Sequence, residues 1–224
     1  MCDDRLWRHQ VMHLADIADP IIGDVTKGAS MPEMARAVLD AAPERFALAG
    51  LSMGGYVALQ IMRDAPEPIA RLALLDTSAR ADTLEQTATR RELIELSQEG
   101  RFDEVPHRLL PNIVHPERLD DARLTLIVFA MAEAVGPEAF VRQEEAIIGR
   151  PDSREDLQGI ACPTLLLCGR EDALTHMHLH EEMAALIPGS RLRVIERCGH
   201  LSALERQEEV TTALREWLEG GLEP

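Results

Sequence analysis

A serine flanked by glycines lies between a predicted strand and a predicted helix. Residues 46–49 are a short apolar run, typical of a strand covered on both faces, and residues 56–62 continue as an apolar segment of helical length. Between them is the pattern Gly50-x-Ser52-x-Gly54. A strand that turns at once into a helix strains its turn residue, and glycines let neighbouring chain pass close by. The pattern therefore predicts a serine hydroxyl at a helix N-terminus, where backbone N–H groups can receive a developing negative charge.

An acid and a histidine follow this serine along the chain. Residues 163–167 predict a buried strand that leads into Gly-x-x-Asp172, and residues 192–195 predict a strand that is followed by His200. In open parallel sheets, functional groups lie just beyond the carboxyl ends of the strands. We therefore expect Ser52, Asp172 and His200 to lie close together.

These three motifs, in this order, resemble the α/β-hydrolase fold, and in particular its small, single-domain, esterase-like members. The resemblance covers nearly the whole chain, including the opening at residues 2–10. It implies an α/β fold with a mostly parallel sheet, helices on both faces, and a single domain over residues 1–224. It also implies a catalytic triad of Ser52, Asp172 and His200, with the backbone N–H of Met53 in the oxyanion hole. No metal or organic cofactor is needed for this chemistry.

The resemblance leaves two alternatives open at the site. Asp76 also follows a predicted strand, and some relatives carry the acid there, but Gly-x-x-Asp172 matches the commoner pattern. The second oxyanion donor is uncertain, because the strand and glycine turn that normally supply it are missing before Met1. We therefore expect an N-terminally truncated fold. Either the true start lies upstream, or a strand at Ile21–Ile22 pairs with residues 46–49, or the site is degraded.

The composition changes between residues 82 and 156, where no strand pattern occurs and glycines and prolines separate several helical segments. In this fold an insertion before the acid strand forms a helical cap, so we predict a cap at about 82–156. Residues 124–135 are too apolar for a surface helix. Because ligand sites are mostly apolar, Phe129 and Met131 in this segment are candidate substrate-binding residues.

Three alternating histidines, His176, His178 and His180, lie shortly after Asp172. On a helix the first and third share a face but the second does not, and no acidic ligand pattern accompanies them. We therefore expect solvent-facing histidines and no metal site. The four cysteines are expected to be free thiols, with Cys198 a small buried residue.

The charge and hydropathy of the chain limit its partners. A formal net charge of −16 argues against nucleic acid and anionic membranes. The longest uninterrupted apolar run, residues 126–132, is far shorter than the roughly 18 residues that a membrane span requires. The N-terminus does not have the pattern of a signal peptide. We expect a cytoplasmic protein with a small-molecule substrate, and the sequence does not indicate an oligomeric state.

The favoured function is a serine hydrolase that cleaves small carboxylic esters or lactones through an acyl-enzyme on Ser52. The motif around Ser52 is similar to that of esterase-like and enol-lactonase relatives, which does not decide between these substrates. The main alternative is a non-catalytic binding module, since the oxyanion turn is missing. A further alternative is a C–C hydrolase or lyase on the same fold.

Overall fold

The protein's structure is a computed structural model that describes residues 1–220. Within this range four parallel strands form one sheet in the order β1-β2-β3-β4. The strands are β1 (Phe46–Leu51), β2 (Ile69–Leu75), β3 (Thr164–Gly169) and β4 (Arg191–Ile195). The α-helices are α1 (Arg8–Leu14), α2 (Met31–Ala41), α3 (Met53–Asp64), α4 (Leu84–Gln98), α5 (Glu104–Ile113), α6 (Ala122–Ile148), α7 (Met177–Leu186), α8 (Ser202–Glu205) and α9 (Gln207–Leu218). Short 3-10 turns lie at Asp4–Trp7, Pro116–Arg118 and Leu157–Gly159.

The sheet is covered on both faces, which confirms the predicted α/β fold. Side chains alternate across a strand, so Leu75 and Leu167 join one apolar cluster whereas Leu74 and Leu166 join another. Helices α1 and α9 contribute to the first cluster, and α2, α3 and α7 contribute to the second. The strands β2 and β3 are apolar on both faces because helices cover both sides of the sheet.

The predicted strand at Ile21–Ile22 is wrong. Both residues lie outside any helix or strand, and their side chains are 62% and 42% exposed. Only two apolar residues lie between Pro20 and Gly23, and they line the same cavity as the residues of β1. Among the described residues, β1 therefore pairs with β2 alone and forms an edge of the sheet.

Along the chain, helices α4, α5 and α6 follow β2 and precede β3, in the segment for which a cap is predicted. Helix α6 is broken at Gly136, which has a φ of 74° and is followed by Pro137. By length and composition alone it could cross a membrane, with a mean hydropathy of 1.6 over an 18-residue window of which a third is buried. A single helix of this kind is weak evidence for a membrane span, because core helices pass the same test. Its buried residues Leu124 and Phe140 pack in two apolar clusters of the protein.

Candidate active site

Ser52 lies on a tight turn between β1 and α3. Its backbone has a φ of 54° and a ψ of −116°, a conformation that L-residues rarely adopt. A β-carbon at Gly50 would lie 2.2 Å from the carbonyl oxygen of Gly54, so the turn closes only with glycine at that position. The N–H of Ser52 donates to the carbonyl oxygen of Leu75 at 2.9 Å, which fixes the turn against the end of β2.

The structure brings Ser52, Asp172 and His200 into one hydrogen-bonded chain. The Ser52 Oγ lies 2.8 Å from the His200 Nε2, and the His200 Nδ1 lies 2.9 Å from the Asp172 Oδ2. Asp172 and His200 are both buried, and Ser52 is partly exposed. An ionised carboxylate can only accept, so the His200 proton belongs on Nδ1, and the Nε2 lone pair faces the Ser52 hydroxyl.

The surroundings of Asp172 favour its ionised form. Its Oδ1 accepts from the N–H groups of Leu174 and Thr175, and its Oδ2 accepts from the Thr175 hydroxyl at 2.6 Å. Burial by itself would raise the pKa of Asp172, but the adjacent His200 and these donors outweigh it and hold the pKa well below its usual range.

His200 is buried, which by itself would lower its pKa. The negative charge of Asp172, its hydrogen bond, and the further carboxyl of Asp76 have the larger effect and raise the pKa of His200. The negative charge of Asp172 would also stabilise an imidazolium that forms when His200 removes a proton. The arrangement can therefore activate the Ser52 hydroxyl as a nucleophile.

Met53 is the first residue of α3, where a backbone N–H has no acceptor within the helix. The N–H of the residue after the nucleophile is the position at which this fold binds an oxyanion. Met53 and Ser52 line the same cavity, and Met1 and Cys2 line it as well.

The cavity next to Ser52 has a volume of about 1430 Å³, and His200 also lines it. It extends between the sheet and helices α4 to α6, and along the outer edge of β1. Of the two candidate substrate-binding residues, Met131 lines the cavity and Phe129 does not. The Phe129 ring lies 4.6 Å from the ring of His107. Residues two apart on a helix point in nearly opposite directions, which explains why the structure separates this pair.

The expectation that all three histidines face solvent is wrong for His180. This side chain is fully buried, and its Nε2 accepts from the backbone N–H of Thr77 at 3.0 Å. Burial lowers its pKa to about 4. The available signal was periodicity, because His180 shares a stripe with Met183 and Ile187, which face the core. In the described part of the chain, no group of three or more potential ligands is placed to hold a metal ion.

Asp76 also lies at this end of the sheet but does not reach the histidine ring. Its two oxygens accept from the backbone N–H groups of Gly169 and Ser202, whereas Asp172 occupies the position beside the His200 Nδ1. The geometry thus agrees with the preference for Asp172 as the acid partner of His200. Cys198 is buried, as expected, and burial raises the pKa of its thiol.

A parallel sheet with a strained serine between a strand and a helix, followed along the chain by an acid and a histidine, defines the α/β-hydrolase class. A sequence model of the alpha/beta hydrolase family matches residues 11–213, and the chain belongs to this family.

Several known proteins are similar to the chain. A thermophilic esterase from Thermogutta terrifontis, solved with malate bound, has 30% sequence identity and a TM-score of 0.87, with 98% of this chain and 86% of that chain covered. A pimeloyl-[acyl-carrier protein] methyl ester esterase from Aromatoleum aromaticum is 27% identical over 210 residues, which cover 88% of this chain and 84% of the relative. The enol-lactonase from Burkholderia xenovorans has the same fold, with 20% identity, a TM-score of 0.82, and 97% and 87% of the two chains covered. The family and the esterase relatives support a hydrolase.

Proposed function

We propose that the protein is a serine hydrolase that cleaves small carboxylic esters or lactones through an acyl-enzyme on Ser52. The observation that carries the proposal is the hydrogen-bonded chain from the Ser52 Oγ through His200 to Asp172, at 2.8 Å and 2.9 Å, beside an open cavity. Acyl transfer needs a nucleophile, a base within hydrogen-bond reach and a group that orients the base.

In the first half of the proposed reaction, the Ser52 Oγ attacks the carbonyl carbon while the Nε2 of His200 takes its proton. Asp172 keeps the other ring nitrogen protonated and stabilises the imidazolium. The N–H of Met53 donates to the oxyanion of the tetrahedral intermediate. The imidazolium then gives its proton to the departing alkoxide, and Ser52 remains acylated. For a lactone, the alkoxide remains attached to the acyl group.

In the second half, His200 removes a proton from water, and the resulting hydroxide attacks the acyl carbon. Collapse of the second tetrahedral intermediate releases the carboxylic acid and returns the proton to Ser52. The whole sequence uses only acid–base and nucleophilic groups of this chain, so the proposal includes no cofactor.

The cavity and the similar proteins support a small ester or lactone as the substrate. Met131 and other apolar side chains line the cavity, which suits an acyl or alcohol group of low polarity. Two of the similar proteins are named for ester hydrolysis and one for enol-lactone hydrolysis. We propose that α4 to α6 act as the cap over this cavity, and that the protein acts in the cytoplasm on a small molecule, without nucleic acid or membrane partners.

The test is hydrolysis of p-nitrophenyl acetate, p-nitrophenyl butyrate and dihydrocoumarin by the parent protein, Ser52→Ala and Ser97→Ala. Ser97 is a serine of α4 that does not line the cavity, so Ser97→Ala controls for the loss of a serine hydroxyl away from the site. We expect turnover and a transient mass increase of one acyl group in the parent and in Ser97→Ala, but neither in Ser52→Ala. Binding of these esters without turnover would instead favour the non-catalytic alternative. Turnover that persists in Ser52→Ala would contradict the acyl-enzyme.

A further inference from the structure

Two adjacent residues at the end of β2 contact all three chain segments that carry Ser52, Asp172 and His200. We propose that Asp76 and Thr77 are positioning residues that hold the nucleophile, the acid and the histidine in register with one another. This inference rests on the proposed function. Neither residue contacts the reacting atoms, and both act through the backbone of the segments beside them.

Thr77 holds the segment of the nucleophile. Its hydroxyl donates to the carbonyl oxygen of Ser52 at 2.8 Å, and its side chain is fully buried. The side chain also lies against the first turn of α3, since a β-carbon at Gly55 would come within 2.4 Å of the Thr77 Oγ1. The N–H of Thr77 donates to the Nε2 of His180, so Thr77 is fixed in turn from α7.

Asp76 holds the segments of the acid and the histidine. Its Oδ1 accepts from the N–H of Gly169 at 2.9 Å, three residues before Asp172, and its Oδ2 accepts from the N–H of Ser202 at 3.2 Å, two residues after His200. One carboxyl thus joins the two segments that must bring an imidazole and a carboxylate to hydrogen-bond distance.

The two segments joined by Asp76 are also in direct contact. A β-carbon at Gly169 would lie 2.1 Å from the carbonyl oxygen of Gly199, so the acid and histidine segments touch at their backbones. A shift of either segment therefore moves the other one. The hydrogen bonds of Asp76 set where this pair of segments lies relative to β2.

Asp76 occupies an unfavourable environment for a carboxyl. It is fully buried with a φ of 42°, a region that disfavours residues with a β-carbon. Burial, together with the nearby charge of Asp172, raises its pKa to about 8. A strained and poorly solvated side chain persists only where the surrounding structure holds it in place. Here the Asp76 carboxyl is held by the two backbone N–H groups from which it accepts hydrogen bonds.

The consequence for the reaction is geometric. A misplacement of about 1 Å between reacting groups can reduce a rate by roughly 10²-fold. Loss of the Thr77 hydroxyl frees the carbonyl of Ser52, and loss of an acceptor on Asp76 frees one neighbouring segment. Both changes should therefore affect the chemical step and leave substrate binding in the cavity largely intact.

The first experiment compares Thr77→Val with Thr164→Val. Thr164 is a matched control, because it is equally buried and its hydroxyl donates to the carbonyl oxygen of Cys162 at 2.9 Å, at the opposite end of the sheet. With p-nitrophenyl butyrate we expect kcat to fall roughly 10- to 100-fold in Thr77→Val with KM within about twofold, and Thr164→Val to resemble the parent. Equal losses of kcat in both variants, or no loss in Thr77→Val, would overturn the proposal.

The second experiment does not depend on turnover. Proton NMR of the parent should show a downfield resonance from the His200 Nδ1–H in its hydrogen bond to Asp172, identified by its absence in His200→Gln. We expect this resonance to shift or disappear in Asp76→Asn, which presents an amide NH₂ to one of the two N–H groups, and to stay in Thr164→Val. An unchanged resonance in a folded Asp76→Asn would overturn the role of Asp76.

The two experiments separate this inference from the proposed function. If Ser52→Ala keeps the activity of the parent, the acyl-enzyme is refuted, while the NMR comparison still decides whether Asp76 sets the geometry of His200. If Ser52→Ala is inactive but Thr77→Val matches the parent in kcat and Asp76→Asn matches it in the NMR resonance, the proposed function stands and the positioning role is refuted. Should Asp76→Asn fail to fold, the Thr77→Val comparison still decides the role of Thr77, and with it the claim that the end of β2 positions the nucleophile.

Discussion

The tight turn at Ser52 predicts a large difference between alanine substitutions at two nearby glycines. A β-carbon at Gly50 would lie 2.2 Å from the carbonyl oxygen of Gly54 and 2.4 Å from its carbonyl carbon. Favourable contacts between heavy atoms lie near 3.5 Å, so β1 and α3 would have to separate by about 1.3 Å. A β-carbon at Gly54 would meet no atom within 4 Å.

The expected free energies follow from these distances. Overpacking costs about 1–3 kcal/mol, and Gly50→Ala should lie at the upper end, because the clash is with backbone that holds the conformation of Ser52. Gly54→Ala adds a better helix former and should change stability between neutral and about 1 kcal/mol more stable. We therefore expect the two variants to differ by about 3–4 kcal/mol in free energy of unfolding.

Urea denaturation followed by circular dichroism would measure this difference. Native proteins have free energies of unfolding of about 5–15 kcal/mol. If the parent lies in the upper part of that range, the Gly50→Ala variant is still folded without urea, and its complete unfolding transition can be measured. The reasoning would be refuted if the two variants unfolded at the same urea concentration with the same slope. That result would mean that β1 and α3 are not held as close as the turn requires.

Three further predictions concern the site. His180 has a pKa of about 4 in the folded protein and about 6.5 in the unfolded chain. The free energy of unfolding should therefore fall by up to about 3 kcal/mol as the pH falls from 6.5 to 4. Urea denaturation at neutral and acid pH should show a smaller decrease for His180→Gln than for the parent. Asp172→Asn should lower kcat by about 10³- to 10⁴-fold. Because Asp172 raises the pKa of His200, the acid limb of the residual kcat/KM profile should move to lower pH; an unmoved limb would contradict the assignment. Met131→Ala should raise KM roughly tenfold in a steady-state ester assay, whereas Phe129→Ala should leave KM unchanged, since Met131 lines the cavity and Phe129 does not.

The sequence predicts the parts of the fold that local patterns determine. The turn at Ser52 is recognisable because its glycines and the flanking apolar runs lie within a few residues of one another. Strands β2 and β3 are recognisable because continuous apolar runs indicate burial on both faces. The strand expected at Ile21–Ile22 rests on two residues, too few for periodicity to distinguish a strand from an extended loop.

The remaining features depend on contacts between distant parts of the chain. The hydrogen bonds that join Asp76 to Gly169 and Ser202 connect residues 93 and 126 positions apart, and no local pattern predicts them. The apolar stripe that His180 shares with Met183 and Ile187 indicates burial, but its hydrogen bond from the Thr77 N–H joins residues 103 positions apart and has no local signal. For Phe129, an apolar segment without clear polar positions does not show which face of the helix points to the cavity.

Covalent labelling would show directly whether Ser52 is an activated nucleophile. The parent protein and Ser52→Ala would be treated with a fluorophosphonate, digested and analysed by mass spectrometry of the peptides. We expect one adduct, on Ser52, in the parent, and no adduct in Ser52→Ala. No adduct in the folded parent, or an adduct on another residue that persists in Ser52→Ala, would contradict it.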